Sequence, residues 1–249
     1  MPDFANYPSL KERSVFVSGG GSGIGASIVE HFAAQGAKVG FVDINEPASR
    51  QVAAKTGAAF LKCDITDVKA YQAAIAEMAG KLGPITVLVN NAAHDERHKL
   101  EDVTPEFWDD RIAVNLRHAF FAIQAVAPGM KKAGGGSIIN FSSISYHTMT
   151  ANLAVYQAAK AATIGMTRGL ARDLGPDQIR LNSITPGWIM TQRQIDLWLT
   201  PEAEADLMKA QVLKEKVYPP DIARMVLFLA SDDSRMISAQ NFVVDGGRM

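Results

Sequence analysis

The chain has 249 residues, 47% of them hydrophobic and 20% charged, a composition that excludes disordered, collagenous and coiled-coil chains. Its 25 Lys and Arg against 26 Asp and Glu leave a formal net charge of -1, so no basic surplus exists to displace counterions from a nucleic acid. An α/β domain of this length buries a core large enough to stand without disulfides or metals.

Short runs rich in Val, Ile and Phe recur at residues 14–19, 37–43, 58–64, 86–92, 137–143, 179–187 and 241–247, separated by stretches with helical spacing. Strands with so few polar interruptions suit burial on both faces by crossover helices. The series predicts one α/β domain over residues 1–249, a doubly wound parallel sheet of about seven strands with helices on both faces. Thr104-Pro105-Glu106 and Thr200-Pro201-Glu202 read as helix starts, with Thr as N-cap, Pro at the first helical position and Glu near the positive end of the dipole.

The first strand runs into Gly19-Gly20-Gly21-Ser22-Gly23-Ile24-Gly25, after which Ile28 and Phe32 repeat at helical spacing. Glycines there allow positive φ and close approach of a pyrophosphate, whose charge the free N–H groups of a helix start would meet. Asp43 ends the second strand 18 residues beyond Gly25, where a carboxylate can accept from the adenosine ribose hydroxyls. It would repel the 2'-phosphate of NADP, and no Arg or Lys stands beside it in Val42-Asp43-Ile44-Asn45, so NAD is the expected cofactor.

Cys63 is the single cysteine and reads as a small buried strand residue. At the next two strand ends, Asp64 either accepts from the adenine amino group or forms a turn, and Asn90 either packs near the adenosine or does the same. No run approaches the ~20 apolar residues of a membrane span, and residues 1–15 lack the basic start and apolar stretch of a secretory signal. A cytoplasmic location, with no membrane partner, is expected.

Ser142-Ser143 ends the fifth strand, and Tyr156 and Lys160 follow four apart in a helical stretch. That spacing places the phenol and the ammonium on one helix face, where the positive charge favours the ionised phenol. Such a pair suits a proton-transfer device, and taken alone it fits equally a core aromatic beside a solvated charge. His94 and His98 lack any accompanying HExxH or cysteine set, so no metal is expected.

The set Ser18-Gly19, Gly23, Gly25, Asn90-Asn91-Ala92, Asn115, Ser143, Tyr156, Lys160 and Pro186-Gly187 resembles the single-domain short-chain dehydrogenase/reductase family in order and spacing, over essentially the whole chain. Ser18 stands where that family usually has Thr, and Ala93 where it often has Gly. The resemblance implies a Rossmann-like fold, with Tyr156 as general acid/base and Ser143 holding the reacting oxygen. It implies Lys160 on the nicotinamide ribose, lowering the Tyr pKa, and Asn115 supporting a water relay. Its cofactor contacts would fall on Ser18, Gly19, Ser22, Gly23, Ile24, Gly25, Asp43, Asp64, Ile65, Asn91, Ala92, Ala93, Tyr156, Lys160, Pro186, Gly187, Trp188, Ile189 and Thr191. It also implies a closed oligomer, a homotetramer, with residues 245–249 near a neighbouring subunit.

Within that family, the stretches 7–11, 95–100, 115–118, 126–132 and 140–145 are similar to bacterial sugar 1-dehydrogenases of the kind acting on D-xylose, L-arabinose or D-galactose. A sugar needs a hydrogen-bond partner for each buried hydroxyl and a ring face for its C–H side. Asp95, Ser143, Ser145, His147, Asn152, Tyr156, Trp188 and Arg193 are the expected substrate residues, while Glu96, Arg97 and His98 fit equally a structural charge network or a subunit contact. An insert around 187–215 reads as a lid that closes over substrate. The expected reaction is NAD-dependent oxidation of an aldose at C1 to the aldonolactone. The alternatives are a polyol, keto-ester or acyl substrate on the same catalytic set, or a non-catalytic NAD sensor.

Overall fold

The run Ser14–Ser18 is buried at every position and forms β1. Val15 and Val17 point into one core and Phe16 into the other, the two-sided burial that a continuous apolar run demands. The computed structural model describes residues 4–249. In chain order β1 is followed by α1 (Gly23–Ala34), β2 (Lys38–Asp43), α2 (Glu46–Thr56), β3 (Ala59–Lys62), α3 (Val68–Leu82) and β4 (Val87–Asn90). The second half comprises α4 (Pro105–Ile112), α5 (His118–Lys132), β5 (Gly136–Phe141), α6 (Ala154–Leu174), β6 (Ile179–Pro186), α7 (Gln192–Trp198), α8 (Pro201–Ala210), α9 (Pro219–Ala230) and β7 (Asn241–Val244).

All seven strands are parallel, in the order β3-β2-β1-β4-β5-β6-β7. This single Rossmann-like domain is the architecture the alternating runs predict. The order reverses between β1 and β4, which opens a crevice at the carboxyl ends of the strands. Ile28 and Phe32 of α1 and Val226 and Leu229 of α9 fill the core on one face. Tyr71 and Met78 of α3, Met130 of α5 and Ala171 of α6 fill the other. No helix among the described residues is long and apolar enough to cross a membrane.

Helix punctuation follows the local chemistry. Thr104 accepts from the Phe107 amide at 3.2 Å and Thr200 from the Ala203 amide at 3.2 Å, with Pro105 and Pro201 opening α4 and α8. Between α4 and α5 the chain takes a π-helical turn over Ala113–Arg117. The sequence patterns gave no sign of it, because an inserted residue leaves composition and spacing almost unchanged.

A row of polar side chains crosses the sheet just below its carboxyl edge. Ser18, Asn90, Asn140, Ser183 and Asn241 occupy matching register positions on β1, β4, β5, β6 and β7. Asn90 donates to Asn140 Oδ1 at 2.8 Å, Asn140 donates to Thr167 of α6 at 2.9 Å, and Ser183 donates to Asn241 at 2.9 Å. Asn90 is therefore a buried residue that does not line the crevice at the carboxyl ends of the strands; its Nδ2 is used inside the sheet, while its Oδ1 has no partner among the described residues.

His118 opens α5 with its ring buried near Tyr71, centroids 6.3 Å apart. Burial, reinforced by the charge of Lys160, pushes its pKa down to about 3. In the unfolded chain the imidazole returns to about 6.5 and binds a proton that the folded state refuses. Between those two values stability therefore falls as pH falls, by about 1.4 kcal/mol per pH unit from this group. In chemical denaturation across that range, His118→Gln is expected to show a shallower acid loss than the parent; equal slopes would show that His118 does not drive it.

Candidate active site

The carboxyl ends of β1, β2, β4, β5 and β6 open onto a cavity of about 870 Å³, placed where a doubly wound sheet binds its ligand. Gly19, Ser22, Gly23, Ile24 and Gly25 form one stretch of its wall. Gly19 has φ +70°, and a Cβ on Gly25 would lie 1.8 Å from the Gly19 carbonyl oxygen. Only glycines leave this cradle open. It leads directly into the N-terminus of α1, whose unpaired N–H groups favour an anion.

Ser18 is fully buried and does not reach the cavity. Its hydroxyl accepts from the amides of Asn91 and Ala92, both at 3.1 Å, while Asn91 Nδ2 donates to the carbonyls of Ser18 and Gly19 at 3.0 Å. This lattice ties the glycine turn to the end of β4 and sets Asn91, Ala92 and Ala93 along the cavity floor. Asp43 accepts from the Gly21 amide at 2.9 Å and the Asn45 amide at 2.8 Å, which fixes its carboxylate at the cavity rim. Asp64 and Ile65 line the same end; one oxygen of Asp64 accepts from the amide and hydroxyl of Thr66, the turn role expected of that residue.

Ser143, Tyr156 and Lys160 line the other end of the cavity. Three consecutive residues of the β5 terminus dock α6: Asn140 through Thr167, Phe141 through its carbonyl to Lys160 Nζ at 3.0 Å, and Ser142 by donating to the Lys160 carbonyl at 2.7 Å. Lys160 Nζ lies 5.5 Å from the Tyr156 ring centroid, the face-sharing geometry that the four-residue spacing demands. Burial pushes the phenol of Tyr156 up and the charge of Asp95 adds to this, whereas Ser143, Arg193 and Arg97 pull it down. Burial pushes Lys160 down to about 8, with Asp95 partly opposing. Asn115 sits in the π-helical turn behind the cavity wall, 2% exposed, where it accepts from the His94 amide at 2.9 Å and donates to the carbonyls of His94 and Arg111.

On the substrate side, Pro186, Gly187, Trp188, Ile189 and Thr191 continue the wall from the end of β6. Asp95 and Arg193 both reach the cavity but are paired with each other, and Asp95 also accepts from Gln194 at 3.0 Å. Gln194 in turn accepts from the Trp188 indole at 2.9 Å. Arg97 lies over the Trp198 ring at 4.9 Å. These contacts join α7 to the loop after β4. Glu96 pairs with Arg111 at 2.7 Å, and the His98 ring packs on Phe107, so these two belong to a structural network.

Two expected substrate residues do not reach the cavity. His147 is exposed, and its ring lies against Tyr146 with centroids 4.0 Å apart, because the short helical turn at Ile144–Tyr146 rotates it outward. Asn152 is exposed at φ +60°, where its carbonyl accepts from the His98 amide. Ser145, Thr148 and Thr150 take their places on the wall. Gln157 holds that loop by donating to the carbonyls of Ser145 at 2.9 Å and Thr150 at 2.7 Å. The sequence reading missed Thr148, Thr150, Gln194 and Arg248 as cavity residues. The C-terminal tail that carries Arg248 packs on the chain's own residues 211–213.

A family model described as Enoyl-(Acyl carrier protein) reductase matches residues 19–248. The chain belongs to the short-chain dehydrogenase/reductase family. It is 49% identical to D-xylose 1-dehydrogenase of Caulobacter vibrioides, over 98% of this chain and 98% of that protein. It is 51% identical to the probable galactose dehydrogenase GalD of Rhizobium meliloti, over 98% of this chain and 97% of that protein. A short-chain type dehydrogenase/reductase from Mycobacterium ulcerans superposes with a TM-score of 0.91 at 26% identity, over 98% of this chain and 91% of that one. Dehydrogenases of this family use nicotinamide cofactors, and the open glycine cradle at a helix N-terminus fits the pyrophosphate of one.

Replacing Ser18 by Ala would leave two amides at the turn without their acceptor, at an expected cost of about 1–3 kcal/mol each. Urea unfolding is expected to show Ser18→Ala clearly destabilised and Ser18→Thr close to the parent. An unperturbed Ser18→Ala would show that the hydroxyl does not hold the turn.

Proposed function

We propose that this protein oxidises an aldose at C1 to the aldonolactone, with NAD as acceptor. The observation that carries the reading is that Ser143, Tyr156 and Lys160 share one cavity with Asp95, Trp188 and Arg193. A proton-transfer group thus faces a wall of donors, acceptors and an aromatic face. The two half-identical relatives named for sugar dehydrogenation support the same substrate class.

In the reaction Tyr156 takes the proton of the C1 hydroxyl while Ser143 holds that oxygen. NAD, when bound, accepts the hydride that leaves C1. Lys160 holds the nicotinamide ribose and Asn115 orders the route by which the Tyr156 proton leaves. The phenol must lose its proton before it can act as base, and burial pushes it up. Turnover is therefore expected to rise with pH through the neutral range. The segment 187–215, which contains α7 and α8, acts as the lid, held at its tip by the Asp95 and Arg193 pair.

NAD is favoured over NADP because Asp43 stands at the adenosine end. Lys62, the register partner of Asp43 on β3, and Arg50 of α2 are both engaged by Glu46, at 3.5 and 2.5 Å. Exposed Trp108 on α4 and Phe120 on α5 suit subunit contacts of a homotetramer, and a single buried cysteine suits a cytoplasmic location.

NADH formation by the purified protein with a panel of aldoses, polyols and keto compounds tests the reading. Aldoses are expected to turn over, and Tyr156→Phe to lose about 10²–10⁴-fold in kcat while keeping NADH affinity. Turnover of polyols alone, or an active Tyr156→Phe, would overturn it. Asp43→Ala is expected to lower the ratio of kcat/KM with NAD to that with NADP; an unchanged ratio would remove Asp43 as the selector.

A further inference from the structure

Four arginines line the cavity: Arg97, Arg111, Arg193 and Arg248. Two have carboxylate partners, Arg111 with Asp110 and Glu96, and Arg193 with Asp95. Among the described residues, Arg97 and Arg248 form no ion pair. Arg97 donates to the Ala151 carbonyl at 3.2 Å, and its Nε is buried with no partner. The guanidinium of Arg248 makes no hydrogen bond to any described residue. The acids that line this cavity beside them, Asp95 and Asp110, are engaged by Arg193 and Arg111, so neither is a partner for Arg97 or Arg248.

The tail holds Arg248 in place by backbone means. Gly246 and Gly247 have φ of +68° and +78°. Asp245 spends its two carboxylate oxygens on the amides of Gly247 at 2.7 Å and Met249 at 2.8 Å. The carbonyls of Gly246 and Gly247 accept from Leu213 and Val212. Gly187 receives the Val244 carbonyl on its amide, which sets the tail beside the turn that opens the substrate side. Arg248 thus enters from the β6 and β7 side, whereas Tyr156 enters from α6, next to β5. Partial burial disfavours its charge, and the field of Asp245 offsets only part of that. A guanidinium so placed is a planar fork of donors without an acceptor, matched in shape and charge by a carboxylate.

We propose that Arg248 is a specificity-determining residue of the sugar site, and that its guanidinium admits aldoses whose far end is a carboxylate, the hexuronates, as substrates for C1 oxidation. The inference rests on the aldose reading above. The carboxylate is a spectator, so bond changes and the balance of proton and hydride at C1 are those of a neutral aldose, and the product is the monolactone of the corresponding diacid. The charge of the Arg248 guanidinium makes the anion's affinity sensitive to salt.

The experiment compares D-galactose with D-galacturonate, which differ only at C6, as substrates with NAD and as ligands of the enzyme loaded with NADH, by calorimetry. The parent is expected to oxidise and bind D-galacturonate, more weakly as salt is raised. Arg248→Ala is expected to lower kcat/KM for D-galacturonate by about 10- to 100-fold, chiefly through KM. Its effect on D-galactose should be only a few-fold. Arg248→Lys should recover part of the loss, since it restores the charge without the fork. An unchanged thermal midpoint and NADH affinity identify the loss as one of recognition. A parent that neither binds nor oxidises D-galacturonate overturns the inference, as does an Arg248→Ala whose losses on the two sugars are equal. If D-galactose is oxidised in such a case, the aldose reading stands alone. If neither sugar is oxidised or bound, both fall.

Discussion

The chemistry of this fold depends on how α6 is fastened to the end of β5. Asn140, Phe141 and Ser142 each make a hydrogen bond to α6, and Ser143 follows them at the cavity wall. The strand that positions the serine is therefore the strand that positions the phenol and the ammonium. A helix held only by apolar packing could slide by fractions of an ångström at little cost, whereas buried hydrogen bonds lose strength steeply with misalignment. Relative placement of Ser143, Tyr156 and Lys160 is set by these bonds, and the sheet transmits it to the nucleotide end through Asn90 and β1.

The glycine cradle rests on a second lattice with the same logic. Ser18 and Asn91 tie the turn after β1 to the end of β4 across the point where strand order reverses. The missing Cβ of Gly25 matters because it lets Asn91 and the Gly19 carbonyl close over the start of α1. Neither Ser18 nor Asn115 touches the cavity. Ser18 holds backbone that does, and Asn115 bonds the backbone of His94 and Arg111, two residues of the cavity wall.

Those features with a local signature were legible in the sequence. The glycine run, Asp43 at a strand end, and the spacing of Tyr156 and Lys160 are short patterns whose physics is contained in a few residues. Strand runs were likewise clear, because burial on both faces leaves almost no freedom in composition. The substrate half was less legible, since it is assembled from loops. The pairing of Asp95 with Arg193 joins residues 98 apart, and nothing near either announces the other. His147 looked suitable by type and position, yet a single helical turn decides which way it faces. Arg248 lay in a tail that carried no motif, and only the fold of residues 211–213 brings it to the cavity.

The chain of bonds from Asn90 through Asn140 to Thr167 bears on how such a protein can diverge. Its members are buried, so replacing the middle residue alone strands the Asn90 donor, while Thr167 keeps its bond to the Thr163 carbonyl at 2.8 Å. Replacing all three by apolar groups of similar shape removes the need for any of them. The three positions thus behave as a unit, in which joint change costs less than a single step. A chimaera that takes β4 and β5 from one relative and α6 from another would place a fault at the centre of the sheet, however well its surfaces agreed.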